Sequence, residues 1–62
     1  MSESETIRFT DLETGKEALV IIRYDEKCVA ISFSHREEGD IQITMSKQEA
    51  QKMLEGLRKS VT

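Results

Sequence analysis

Apolar and polar residues alternate along three short stretches of the chain, a pattern typical of β-strands with one buried face. Residues 6–10, 28–34 and 41–45 each place an apolar side chain at every second position. Residues 18–22 are instead continuously apolar and rich in β-branched types, which predicts a fourth strand that needs cover on both faces. Polar segments containing Asp or Gly separate the four stretches and predict turns. Residues 1–4 offer little to bury and are expected to be frayed.

The C-terminal third changes to helical spacing. Ser46 precedes Glu49 by three positions, and this spacing predicts a capping box in which both side chains accept hydrogen bonds from backbone N–H groups. An apolar stripe follows, formed by Ala50, Met53, Leu54, Leu57 and Val61. The predicted fold is α+β: a four-stranded antiparallel meander, then one C-terminal amphipathic helix packed on one sheet face, in a single domain spanning residues 1–62. The helix is expected to cover the face that carries Ile7, Phe9, Val29, Ile31, Phe33, Ile41 and Ile43.

The face of the sheet opposite the helix is expected to present an apolar patch, formed by Ala18, Val20, Ile22 and Tyr24. A chain of 62 residues buries only roughly 60% of the surface that its unfolded form exposes, so a partner would add stability. Gly56 lies beside the apolar stripe of the helix. Either close approach of another backbone or ordinary fraying near the helix end explains a glycine at this position. An exposed apolar patch is unusual in a monomer. We therefore expect a homodimer or docking on another protein, with these interface residues: Ala18, Val20, Ile22, Tyr24 and Gly56.

Charge and composition narrow the range of partners. The net charge is −3, and the acidic residues concentrate in positions 1–40. A polyanion would therefore have to approach the basic C-terminal side. No apolar run approaches the ~20 residues of a membrane span, and the N-terminal segment is acidic, unlike a targeting signal. These features predict a cytoplasmic protein without a membrane partner.

The candidate chemical groups do not form a recognisable catalytic or metal site. Cys28 is the only cysteine and His35 the only histidine, and extended chain would hold them roughly 23 Å apart on opposite faces. Cys28 is interpreted as a small apolar filler and His35 as a solvated turn residue. The acids of residues 37–40 lack the spacing of a calcium loop, and residues 14–16 lack that of a phosphate-binding loop. We expect no enzymatic activity, no cofactor and no metal.

Single-stranded nucleic acid is the alternative partner. Proteins that bind it combine basic grooves with aromatic side chains on which bases stack. Only one aromatic residue of the predicted strands is expected to be exposed, and several acids flank the basic residues. The candidate contact residues are Arg8, Arg23, Tyr24, Lys27 and Arg36.

Residues 40–57, with the sequence DIQITMSKQEAQKMLEGL, resemble the last strand and helix of the positive cofactor four family of single-stranded-DNA-binding transcriptional coactivators. The resemblance covers about the last third of the chain by motif and the remainder by order of elements. It implies four strands followed by a helix, pairing of two chains into a dimer, and DNA crossing the sheets. The chain departs from the family in its acidity, its few strand aromatics and its lack of a basic N-terminal segment.

Overall fold

The computed structural model describes residues 3–36 and 38–62, which form four strands and one helix. The elements are β1 (Glu3–Thr10), β2 (Glu17–Tyr24), β3 (Cys28–His35), β4 (Gly39–Ser46) and α1 (Lys47–Ser60). The strands pair antiparallel in the order β1-β2-β3-β4, and α1 contacts β3 and β4. The predicted α+β fold, a four-stranded meander followed by a C-terminal helix, is confirmed.

The first strand begins earlier than the sequence predicts. Glu3 pairs with Tyr24 and Ser4 with Arg23, so both residues belong to the sheet rather than to a frayed terminus. The first two residues, also expected to be frayed, lie outside the described part of the chain. β1 and β2 therefore pair along eight residues each, although polar side chains fill the first positions of β1.

The turns that the polar segments predict are present, and hydrogen bonds close them. In the β2–β3 turn, the Asp25 carboxylate accepts hydrogen bonds from the backbone N–H groups of Lys27 (2.8 Å) and Cys28 (2.9 Å). The Asp25 N–H donates to the Cys28 carbonyl (3.2 Å), so Asp25 and Cys28 close a two-residue loop. In the β1–β2 turn, Gly15 adopts a φ of 73°, a conformation that glycine accepts without steric cost.

Strand register determines which side chains share a face, because directly paired residues point to the same side of a sheet. The side that α1 covers, called the inner face below, carries Ile7, Phe9, Ala18, Val20, Ile22, Tyr24, Val29, Ile31, Phe33, Ile41 and Ile43. The other side, called the outer face, carries Arg8, Leu19, Ile21, Arg23, Cys28, Ala30, Ser32, Ser34 and Gln42.

Four alternate residues of β2 lie on the inner face, so their predicted position on the face away from the helix is wrong. They are Ala18, Val20, Ile22 and Tyr24. Val20 pairs with Phe33 and Ile22 pairs with Ile31. Small and polar residues dominate the outer face, where the Ser32 hydroxyl donates to Gln42 Oε1 (2.9 Å). The continuous apolar run of β2 places Leu19 and Ile21 on this outer face.

The helix begins where the sequence predicts. Ser46 is extended and its hydroxyl accepts a hydrogen bond from the Glu49 backbone N–H (3.1 Å). The Glu49 carboxylate lies 4.0 Å from the Lys52 ammonium, and within the described residues no hydrogen bond links it to the Ser46 backbone. One half of the predicted capping box is therefore present.

Candidate functional site: an apolar groove between sheet and helix

An apolar groove runs along the inner face beside the helix. Because α1 lies over β3 and β4, the part of the inner face formed by β1 and β2 has no helix above it. The groove has a volume of about 370 Å³. Its floor comes from the first three strands and its wall from the helix: Ile7, Phe9, Val20, Ile22, Ile31, Phe33, Met53 and Leu57.

The side chains around the groove are only partly buried. Among the hydrophobic residues that the structure describes, Ala18 and Ile31 alone are classed as buried. Ile7 is 50% exposed and Phe9 is 45% exposed, although both lie on the inner face. On the helix, Leu54 is 55% exposed and Leu57 is also exposed. The inner face is therefore an incomplete core. It is open on the β1 side and also along β4, where Ile41 and Ile43 are exposed.

A tyrosine with charged neighbours closes one end of the inner face. The Tyr24 hydroxyl donates to Glu3 Oε2 (3.2 Å), and the Lys47 ammonium lies 5.7 Å from the centre of the Tyr24 ring. The hydrogen bond to Glu3 and the negative charge of that carboxylate raise the pKa of Tyr24. Tyr24 is thus held against its own chain on the inner face.

A histidine and an aspartate lie at the other end of the inner face. The His35 imidazole nitrogen Nε2 is 3.3 Å from Asp11 Oδ2 and 3.3 Å from the Thr14 hydroxyl. The Glu38 N–H donates to His35 Nδ1 (3.3 Å), which fits a proton on Nε2. Contrary to the sequence interpretation, His35 is the last residue of β3 and is largely shielded from solvent.

The Asp11 carboxylate also organises its own turn. Its Oδ1 accepts from the Glu13 backbone N–H (2.9 Å), and this hydrogen bond is the main cause that lowers the pKa of Asp11. The nearby His35 lowers this pKa further. The apolar groove therefore lies between two polar ends of the inner face, one at Tyr24 and one at His35.

The candidate nucleic-acid contacts are spread over the molecule. Arg8 and Arg23 lie on the outer face, whereas Tyr24 lies on the inner face. Lys27 lies in the β2–β3 turn and Arg36 in the β3–β4 turn, at opposite ends of β3. The five residues do not form one basic and aromatic surface.

The remaining chemical candidates are also separated. Cys28 and His35 occupy the first and last positions of β3 and point to opposite faces. The Cys28 thiol lies 3.7 Å from Asp25 Oδ1. Across residues 3–36 and 38–62, no three His, Cys, Asp or Glu side chains gather as a metal site would require. The helix of the described chain is too short and too polar to cross a membrane.

The predicted interface residues are divided by the fold. Val20 and Ile22 line the groove, and Ala18 is buried near the His35 end. Gly56 is exposed, and a Cβ added there would meet no atom within 4 Å, so no neighbouring element of this chain requires a glycine. A role for these residues in an interface stays a prediction, with Val20 and Ile22 now placed in the groove.

Comparison with protein-family models, curated proteins and solved structures finds no match.

Sequence reasoning missed the groove because it assigned Ile7, Phe9, Met53 and Leu57 to a closed core. The periodicity of each element was interpreted correctly, but periodicity does not reveal how many strands one helix covers. A helix is about 10–12 Å wide with its side chains, and four strands spaced about 4.8 Å apart span more than that. Comparing these widths could have indicated the uncovered half of the inner face.

Proposed function

We propose that this protein is a small non-enzymatic interaction module that acts as a homodimer through the groove, with docking on a different protein as the other possible use of the same surface. The observation behind this proposal is the exposure of Ile7 and Phe9 on the face that also carries the core. Burying a large apolar side chain stabilises a protein by roughly 1.5–3 kcal/mol relative to leaving it exposed. A partner that covers the groove would supply that stabilisation.

The form of the groove also supports a protein partner rather than a small polar ligand. Its lining is apolar, and hydrogen-bonding groups lie at the two ends, where Tyr24 and His35 bond to other parts of the chain. Protein interfaces combine a water-excluding apolar centre with a polar rim. The outer face, in contrast, carries mainly small and polar side chains.

Sedimentation of a matched pair of variants tests the proposal. Ile7→Glu places a charge in the groove, and Thr6→Glu places the same charge on the neighbouring residue, which points to the outer face. The wild-type chain and Thr6→Glu should sediment with a mass near twice 7.1 kDa at micromolar concentration, and Ile7→Glu should sediment near 7.1 kDa. Circular dichroism checks that both variants are folded. A wild-type chain that stays at 7.1 kDa at hundreds of micromolar contradicts the homodimer.

Binding of single-stranded nucleic acid is the second proposal. Its support is that Arg8 and Arg23 share the outer face, together with the strand and helix order of the family that residues 40–57 resemble. Glu17 and Asp40 lie on the same face and oppose a polyanion. Titration with fluorescent oligonucleotides at low and moderate salt separates the two proposals.

A further inference from the structure

His35 connects two turns at one end of the sheet. It is the last residue of β3, and its side chain is only 14% exposed. In the β1–β2 turn, Asp11 Oδ2 and the Thr14 hydroxyl oxygen both lie 3.3 Å from His35 Nε2. In the β3–β4 turn, the Glu38 backbone N–H donates to His35 Nδ1 at 3.3 Å. One imidazole ring therefore contacts two turns that lie far apart in the sequence.

The directions of these hydrogen bonds fit a neutral ring. A neutral imidazole has one N–H donor and one nitrogen acceptor. Because Nδ1 receives the Glu38 N–H, Nδ1 is the acceptor and the ring proton lies on Nε2. That N–H faces two oxygen acceptors of the β1–β2 turn, the Asp11 carboxylate and the Thr14 hydroxyl. The neutral ring thus satisfies both turns at once.

Protonation of the ring acts on the two turns in opposite ways. An imidazolium carries a proton on each nitrogen and has no acceptor, so the Glu38 N–H and the new Nδ1–H become two donors facing each other. On the other side, the positive ring faces the Asp11 carboxylate, and a charge-assisted hydrogen bond is stronger than a neutral one. Asp11 is ionised at neutral pH, since the hydrogen bond from the Glu13 N–H and the nearby His35 lower its pKa.

The charged groups around the ring are mainly acidic. A cavity of about 530 Å³ lies at this end of the sheet, and four carboxylates line it, those of Asp11, Glu13, Glu38 and Asp40. The bases of the two turns are Lys16 and Arg36. The strand neighbours of His35 are Ala18 on β2 and Gly39 on β4, which carry no charge. A positive ring is therefore surrounded mainly by carboxylates.

We infer that His35 is a pH-sensitive switch: the neutral ring holds the β3–β4 turn through the Glu38 N–H, and the protonated ring releases that N–H while it keeps its contact with Asp11. Histidine side chains change charge between about pH 5 and pH 8, so the switch works in the physiological range. Phe33 lines both this cavity and the apolar groove, and the change therefore occurs beside the proposed binding surface. The switch itself does not depend on self-association.

Nuclear magnetic resonance of the whole chain, titrated from about pH 7.5 to pH 5.5, tests the switch above the range in which ordinary carboxyl groups titrate. The ring nitrogen shifts of the neutral form should place the proton on Nε2. The Glu38 amide proton should move upfield, as expected for a lost hydrogen bond, with the same midpoint as the His35 ring protons. The Glu13 amide, whose acceptor is Asp11 Oδ1, should stay hydrogen-bonded. A neutral ring with its proton on Nδ1, or a Glu38 amide that does not follow the ring, would overturn the inference.

Matched variants separate the imidazole from the nearby carboxyl groups. His35→Asn does not titrate and supplies an amide oxygen that can accept the Glu38 N–H, so the Glu38 amide shift should stay constant over this pH range. Glu37→Gln and Glu38→Gln each keep the Glu38 N–H and remove one carboxylate, and both should retain the wild-type transition. A transition that persists in His35→Asn, or that disappears in either glutamine variant, would assign the change to another group and contradict the switch. The wild-type titration decides the question if His35→Asn fails to fold.

Discussion

Ile22 on β2 lies directly opposite Ile31 on β3, so the two side chains meet on the inner face of the sheet. Ile31 in turn pairs with Ile43 on β4. Ile31 is 7% exposed and is one of the two hydrophobic side chains classed as buried in the described part of the chain. Ile31 is therefore the centre of the small core. It lines the groove together with Ile22, whereas Ile43 on the edge strand is exposed.

Ile31→Ala should therefore destabilise the protein strongly. Removing a buried isoleucine side chain down to alanine costs about 2–5 kcal/mol, because apolar contacts are lost and a cavity remains. A loss of 1 kcal/mol lowers the melting temperature of a domain of this size by about 4–8 °C. Thermal unfolding followed by circular dichroism at one fixed protein concentration should show a fall of about 10 °C or more.

Ile41→Ala is the control for that prediction, since the same atoms are removed from an isoleucine that is exposed on the edge strand β4. Ile41→Ala should lower the melting temperature by less than half as much as Ile31→Ala does. Equal effects of the two substitutions, or an unchanged melting temperature for Ile31→Ala, would contradict the observed register.

The pairing of Ile22 with Ile31 also explains why sequence analysis placed the alternate residues of β2 on the wrong face. A two-residue loop closed by Asp25 and Cys28 pairs residues of opposite parity, so even positions of β2 face odd positions of β3. The turn was recognised from its composition, but its length was not used to set the register. The continuous apolar run of residues 18–22 provides no alternation to correct that choice.

The Ser46 cap is the clearest feature that the sequence predicts at a single residue. Its hydroxyl accepts from the Glu49 N–H at 3.1 Å, and Ser46→Ala removes this acceptor. This substitution should lower the free energy of unfolding by about 1 kcal/mol and the melting temperature by about 4–8 °C. Ser46→Asp restores an acceptor and adds a favourable negative charge at the helix N-terminus, so it should retain the wild-type value. Equal losses for Ser46→Ala and Ser46→Asp would show that the missing hydrogen-bond acceptor is not the cause of the loss.

The Asp25 carboxylate should make stability depend on acid pH. Hydrogen bonds from the Cys28 and Lys27 N–H groups lower the pKa of Asp25 from its ordinary value of 3.8. A carboxyl whose pKa is lower in the folded state stabilises the fold above pH 3.8, and this contribution disappears as pH falls through the folded pKa. The melting temperature should therefore fall on acidification from about pH 5 to pH 3.

Asp25→Asn tests this assignment because an amide keeps an oxygen acceptor but does not titrate in this range. The variant should show a smaller fall in melting temperature between these pH values than the wild type. Glu26→Gln, which removes the neighbouring carboxylate, is the charge-matched control and should retain the wild-type slope. If Asp25→Asn and the wild type have the same slope, Asp25 does not contribute to the acid dependence.

The nature of the candidate site could be predicted only in part. The apolar character of Val20 and Ile22 led to the expectation of an association surface. These residues line the groove, but on the face opposite to the one expected. Their face, and the contribution of Met53 from a distant part of the chain, depend on tertiary packing. Local periodicity contains no information about how far α1 extends across the sheet.

The last prediction concerns nucleic acid. Arg8 and Arg23 point to the outer face and Tyr24 to the inner face. A nucleic-acid segment that lies flat on the outer face therefore contacts both arginines without stacking on Tyr24. Stacking contributes roughly 1–3 kcal/mol per base, so its loss leaves a purely electrostatic and salt-sensitive interaction. Fluorescent oligonucleotides titrated at low and moderate salt should therefore bind more weakly than micromolar at moderate salt, and Tyr24→Ala should not change the affinity. Arg8→Ala combined with Arg23→Ala should reduce whatever binding remains at low salt. Micromolar or tighter binding at moderate salt that Tyr24→Ala abolishes would instead favour nucleic acid as the partner of this protein.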